Sequence, residues 1–479
     1  MEACRQNDLK VKLIRNIRTS EKAGNTWIFL EPTVLEAGNF NVGDGVHMTI
    51  ERDALIFTKT DDKTHIISKR KRAGWKRERP LMDKCNREIS AVIKAREQID
   101  ILVSEGMLVI RHSRSFDLAY IRTPMLMGSE QKKIRTLSVP GGAGVGLACL
   151  VDLGAYGPVG SLDVWAEAID VYRHNFRNSL SLFTDLRNIH SSLIPESDLV
   201  FLSPECVEFS MLGTRKEDIS TALSPHYARI VYASGADYVL IEQVVPYYKS
   251  RAFEQLNSLL SIKFPYTTGP VMIDAYDMGS VAGRRRGYCV YSTRSLDSFK
   301  MPTPPKIPEH RRPTLKQVLK GFNVEQGNWK PIKGTVMEGL LNKKGNNNFR
   351  AESNHTLVTL DSTRLAAFVT SYRKVQVTSS YLTHPDNPLW WRIFEPHEIS
   401  RIMGIPDWFE FDDEISSDAT KTKLLGQSCD GNVLRSIGTE LATYIMGNWL
   451  RDRLNSDRLD NTLFHKPKFV EEKGQLSLF

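Results

Sequence analysis

The sequence predicts an α/β protein, a mainly parallel sheet with helices on both faces, preceded by a small mainly-β module and interrupted late by an irregular segment. Three observations carry this reading. Between about 133 and 292, short apolar runs alternate with helical stretches, among them Gly160 to Asp163, Asp198 to Leu202, Tyr238 to Ile241 and Tyr288 to Tyr291. That is the pattern of strands buried on both faces. Earlier, Trp27-Ile-Phe-Leu, Val46-His-Met-Thr-Ile and Ala54-Leu-Ile-Phe-Thr are short and broken by Gly, Asn and Asp, as in a small barrel. Later, the prolines of Met301-Pro-Thr-Pro-Pro-Lys-Ile-Pro308 stop both a helix and a central strand, and so mark a boundary.

Size and composition set the limits. The chain has 479 residues, 41% of them hydrophobic, enough for two or three domains with a substantial core. A net charge of +8 suits a polyanionic partner but does not demand one. The six cysteines (Cys4, Cys85, Cys149, Cys206, Cys289, Cys429) have neither the paired spacing of zinc sites nor the density of a disulfide scaffold. A reducing cytoplasm and no metal are the expectation. The N-terminus is polar, and no segment offers the long uncharged run of a membrane span, so a soluble protein is expected.

Taken in order, residues 1–130 form the N-terminal module. Ile89, Val92, Ile93 and Ile99 share a helical face that Gly106 would end, predicting one helix after the strands. The run Lys69-Arg-Lys-Arg-Ala-Gly-Trp-Lys-Arg-Glu-Arg79 mixes cations with a stacking ring, as a phosphate-contacting surface would, or a solvated linker. Residues 131–300 are the α/β unit and 301–388 the irregular one. Helices return over 389–451, and a polar tail is expected over 452–479.

The chemistry gathers at strand ends. Pro140-Gly-Gly-Ala-Gly-Val-Gly146 would let backbone approach a ligand closely. Asp163 ends the next strand, where an acid commonly accepts from ribose hydroxyls, and Asp185 follows the one after. Asp198-Leu-Val-Phe-Leu-Ser-Pro-Glu-Cys206 delivers a thiol to a sheet edge. Glu242 ends a further buried strand, where a carboxylate is expensive unless paired or functional. Arg284 and Arg286 are spaced to point the same way if extended, able to clamp a phosphate or hold a ring oxygen.

In this order these residues resemble the cytosine C5 DNA methyltransferase family. The likeness continues through Arg392-Ile-Phe-Glu-Pro-His-Glu398-Ile-Ser-Arg401-Ile-Met-Gly-Ile-Pro-Asp407 and Leu425-Gly-Gln-Ser428. It covers about 135 to 450 and implies a Rossmann-like, S-adenosylmethionine-dependent domain acting on double-stranded DNA as a monomer. It also implies roles. Cys206 would add to carbon 6 of a flipped-out cytosine, Glu242 would hold and protonate ring nitrogen 3, Arg284 would bind the carbonyl oxygen, and Arg286 would support the catalytic loop. The donor would meet Pro140, Gly141, Gly142, Gly144, Asp163, Val164, Asp185, Leu186, Pro204, Gln427 and Ser428. DNA would meet Ser210, Arg392, Lys343, Lys344 and Arg350, with 301–388 as the target-recognition region.

This chain departs from the family pattern at several neighbours. It has Pro204-Glu205-Cys206-Val207 for Pro-Pro-Cys-Gln, Glu242-Gln243-Val244 for Glu-Asn-Val, Ala282 for the Gln of Gln-x-Arg-x-Arg, Pro140 for Phe, and Gly426-Gln427-Ser428 for Gly-Asn-Ser. A carboxylate at Glu205 close to the thiol would raise its pKa. The alternative readings are a catalytically inactive DNA-binding protein on the same fold and an RNA cytosine methyltransferase. Donor binding and DNA–RNA competition separate them. Finally, Gln475-Leu476-Ser477-Leu478-Phe479 resembles the bacterial sliding-clamp binding peptide, which implies replication-linked methylation in a bacterial or phage-infected cell.

Overall fold

The computed structural model describes residues 10–51, 53–63, 65–113, 133–205, 208–209, 218–325, 327–342, 350–463, 470–472 and 475–477, with side chains as far as Leu454. One large sheet of thirteen strands runs through them. At its centre Ile134–Val139 lies between Tyr156–Asp163 and Leu199–Leu202, all parallel. Leu180–Phe183 continues the sheet beyond Tyr156–Asp163, and Tyr238–Val244 continues it beyond Leu199–Leu202, again in parallel. The strands are Leu-, Val-, Ile- and Phe-rich and buried on both faces, as parallel strands covered by helices must be. Chain order reverses direction at Ile134–Val139, and α/β sheets bind ligands at the carboxyl ends of strands on either side of such a switch. The Rossmann-like α/β expectation therefore holds.

One expected parallel strand differs in direction. Arg285–Ser292 pairs antiparallel to Tyr238–Val244 over seven residue pairs, with Val271–Asp274 antiparallel on its far side. A short connection from Val271–Asp274 through residues 275–284 allows a hairpin but leaves no room for the crossover a parallel neighbour requires.

The N-terminal strands do not close a separate barrel. Leu13–Arg18 pairs parallel with Leu180–Phe183 and antiparallel with Gln98–Ser104, so the sheet continues through Met107–His112 and Ala54–Thr60 to Gly45–Glu51. An unpaired edge at Leu180–Phe183 is thereby covered. A smaller sheet forms from Ser20–Lys22, Asn25–Leu30, Arg79–Cys85 and Ser68–Arg70. The single helix expected through Ile99 is instead Arg87–Val92 followed by the strand Gln98–Ser104. Asn86 caps that helix by accepting from Ile89 N at 2.8 Å, and Arg96 turns the chain at φ 67°, which breaks the apolar period.

A buried ionic joint fastens this module to the helix Ala166–Asn175. Arg79 Nη2 donates to Asp170 Oδ2 at 2.8 Å and, through Nε and Nη2, to both oxygens of Glu36. Thus the last cation of the basic run is structural. Arg77 pairs with Glu36 and Glu414, and Lys69 with Glu78. Trp75 lies under the guanidiniums of Arg72 and Arg79.

Short strands of 301–388 form a four-stranded sheet of Lys330–Pro331, Tyr381–Thr383 and Leu357–Val358 with Trp390–Arg392, just beyond the expected boundary. The chain then returns through the helices Pro396–Ile402, Asp418–Gln427 and Gly431–Leu463. That last helix overruns the expected start of the polar tail at 452, because no Gly or Pro interrupts residues 448–463. Among the described residues no helix is long and apolar enough to cross a membrane.

Candidate active site

Where Ile134–Val139 ends, the chain turns through its glycines. Gly141 N donates to Leu162 O at 2.9 Å, and a Cβ at Gly141 would stand 1.8 Å from Ser161 Oγ, so only glycine fits. Gly144, at φ 83°, begins the helix Val145–Val151, and a Cβ there would strike Tyr172 and Phe176. Gly142, at φ 52°, has nothing within 4 Å of its would-be Cβ. The turn thus presents backbone to an open cleft.

Asp163 faces that cleft from the end of Tyr156–Asp163. Its carboxylate accepts from Gly142 N at 2.8 Å and Trp165 N at 2.9 Å, while burial pushes its pKa up. Opposite, Ser203 and Pro204 follow the adjacent strand, and Ser203 N donates to Val139 O. Pro140, Gly141, Gly142, Asp163, Phe201, Ser203, Pro204, Glu205, Glu242, Gln243, Arg286, Gln427 and Ser428 line one cleft open to solvent.

Glu242 is buried at 6% exposure. Arg286 Nε lies 3.0 Å from its Oε1, and Ser203 Oγ donates to Oε2 at 3.1 Å. The carboxylate is therefore held from both sides. Gln243, the departure from the usual Asn, donates through Nε2 to Pro204 O and so anchors the turn that leads to Cys206. Glu205 N donates to the hydroxyl of Tyr227 at 3.1 Å, a second anchor on the same turn. Sequence reasoning assigned neither Ser203 nor Tyr227. A strand-end Ser beside a Pro-x-Cys turn was the available signal for the first, and none marked the second.

Several expected residues lie elsewhere. Arg284 is buried away from the cleft lining, donating through Nη1 to Phe368 O at 2.8 Å and through Nη2 to Gly426 O at 3.0 Å. The guanidinium in the cleft is that of Arg286. Arg392, expected on DNA, is 2% exposed and forms a bidentate pair with Glu398 at 2.7 Å for both bonds, with Trp329 and Phe322 against its plane. Its partner closes the N-terminal turn of Pro396–Ile402, so the arginine is fixed by that helix.

Asp185 pairs with Arg187, which holds its carboxyl below the usual range, and is not part of the cleft lining. Leu186 is a core side chain and Val164 an exposed one, and Gly144 serves the turn. Arg350 is exposed. Gln475 and Leu476 belong to a strand paired with Val470–Glu472. Cys206, Ser210, Lys343, Lys344, Leu478 and Phe479 lie outside the described residues.

The residues of the cleft fit a nucleoside donor: a glycine turn that admits close approach, a half-buried carboxylate held, among the described residues, by main-chain N–H groups, and a polar closing turn at Gln427 and Ser428.

Comparison with known proteins agrees with this architecture. The family model described as C-5 cytosine-specific DNA methylase matches residues 134–443. The S. pombe Dnmt2 methyltransferase superposes with a TM-score of 0.52 at 21% identity, covering 66% of this chain and 99% of that one. The Entamoeba histolytica methyltransferase EhMeth does so with a TM-score of 0.51 at 18% identity, covering 67% and 99%. At such identities the likeness shows the fold. A comparison with curated protein sequences gives no match. The family uses S-adenosylmethionine as its methyl donor. With the family model spanning the sheet, the cleft and the returning helices, this chain belongs to the C-5 cytosine-specific DNA methylase family.

Proposed function

We propose that this protein methylates carbon 5 of cytosine in double-stranded DNA through a covalent adduct on Cys206. The observation that carries the reading is the convergence of Glu242, held by Ser203 and Arg286, with Asp163 and the glycine turn on one cleft. The thiolate of Cys206 adds to carbon 6 of a base turned out of the helix. Glu242 keeps a proton on ring nitrogen 3, so the electron pair of the addition accumulates at carbon 5 instead of as anionic charge on the ring. Arg286, rather than Arg284, is the guanidinium available to the base carbonyl. When bound against Gly141, Gly142, Asp163, Gln427 and Ser428, S-adenosylmethionine supplies the methyl group. Loss of the carbon 5 proton to a base then expels the thiolate and restores the ring.

Substituting 5-fluorocytosine for cytosine tests the covalent route, because fluorine cannot leave as a cation. The reading expects a detergent-resistant protein–DNA adduct that forms only with donor and with Cys206 present. Protein that binds such DNA and donor without forming the adduct would sink it.

The sequence Gln475-Leu-Ser-Leu-Phe479, similar to the bacterial sliding-clamp binding peptide, supports a second contact, docking of 475–479 into the groove of such a clamp. Deletion of these residues should abolish clamp binding and leave methylation of free DNA unchanged. A truncated protein that still binds the clamp as tightly would refute the contact.

A further inference from the structure

Residues 280–284 form a junction between three parts of the molecule. Gly283 N donates to Leu365 O at 2.9 Å and Leu365 N to Val281 O at 2.7 Å, so this stretch is stitched to the irregular segment. Ser280 Oγ donates to Asp430 Oδ1 at 2.9 Å, just beyond the turn that closes the donor cleft. Arg284 then reaches both partners at once through Phe368 O and Gly426 O.

The contact around it is tight. A Cβ on Gly426 would stand 2.5 Å from Val369 C and 2.6 Å from Thr370 N, so the main chain of the helix Asp418–Gln427 rests directly on 369–370. The next two residues, Gln427 and Ser428, line the cleft. A displacement of 368–370 toward the helix would therefore move Gly426. Burial and the neighbouring Arg286 push the Arg284 guanidinium down to about 10.

We propose that Arg284 is a positioning residue that couples the donor cleft to the target-recognition segment, so that donor and DNA bind cooperatively. This rests on the reading of 301–388 as the DNA-contacting region. A DNA-induced shift of 365–370 is passed through the two carbonyls to Gly426 and so to Gln427 and Ser428, and by reciprocity donor binding returns the same free energy to DNA affinity.

Calorimetric titration tests this, with S-adenosylmethionine as the probe, in the presence and absence of unmodified duplex DNA, on wild-type protein and on Arg284→Met. The wild type should bind donor at least about fivefold tighter with DNA present, the lower end of usual couplings. In Arg284→Met that ratio should fall to about one. A merely structural arginine would weaken both arms equally and leave the ratio unchanged, and that result in folded protein overturns the proposal, as does a wild-type ratio of one. Arg284→Lys, which keeps the cation and can still reach one carbonyl, should retain an intermediate ratio and serves if the methionine variant does not fold. Adduct formation on 5-fluorocytosine DNA reports separately on the catalytic reading, so loss of coupling and loss of that reading are distinguishable.

Discussion

Asp163 ends a strand and Asp170 lies in the helix that follows it, and the contrast between them separates the part of the molecule that lines the cleft from the part that holds. Asp163 is kept in place by the N–H groups of Gly142 and Trp165 and, among the described residues, has no cation opposite it. Asp170 is closed off by Arg79 at 2.8 Å, with Arg173 at 4.0 Å. Both carboxyls are pushed up by burial, yet only the second has that penalty offset by protein guanidiniums. A buried charge that the protein itself neutralises is a fastening, whereas one that it orients and leaves open to a cleft is a binding group. Arg284 and Arg286 differ in place instead, the first tied to two carbonyls away from the cleft lining and the second in the cleft, paired with Glu242.

Substitutions should widen this contrast. The largest effect is expected at Cys206→Ala, which should abolish methyl transfer while leaving DNA binding largely intact, checked by transfer assay and gel shift on one preparation. Glu242→Gln should lower turnover about 10²-fold or more, since a proton donor to the ring is lost, with little change in donor affinity by titration. Arg79→Met acts on the other side of the divide. It leaves Asp170 with Arg173 at 4.0 Å and Glu36 with Arg77, and should destabilise the fold by about 3 kcal/mol in denaturant unfolding, leaving donor affinity of the folded protein unchanged. If Arg79→Met instead impaired donor binding alone, the division between fastening and cleft would fail.

The smallest effect concerns pH. Burial raises Asp430 from 3.8 to about 6, so between those values the folded protein carries a proton that the unfolded chain has released. Stability should therefore fall as pH rises from about 4 to 6 and level off above, by a few kcal/mol at most. Asp430→Asn, which can still accept from Ser280, should flatten that decline. A decline of equal slope in the variant would assign it to other groups.

How far the sequence could be read follows from the range of each interaction. The glycine turn, Asp163 and Glu242 announced themselves because each ends an apolar run, and the sheet brings those ends together, whereas the Gln427–Ser428 turn was found through its likeness to a family motif. What depended on distant partners stayed hidden. Nothing near Leu13 signals that it will pair with Ser181, and so the N-terminal strands read as a barrel of their own. The spacing of Arg284 and Arg286 placed them alike, and only Phe368 and Gly426, remote in sequence, draw the first away. Arg392 was expected on DNA from the family likeness, and only the structure shows Glu398 as its counter-charge.

The most direct test is incubation of the purified protein with unmodified DNA and S-adenosylmethionine, followed by digestion to nucleosides and mass analysis. The account predicts deoxycytidine heavier by one methyl group, with the methyl on carbon 5. Unchanged nucleosides from protein that demonstrably binds both DNA and donor would contradict it.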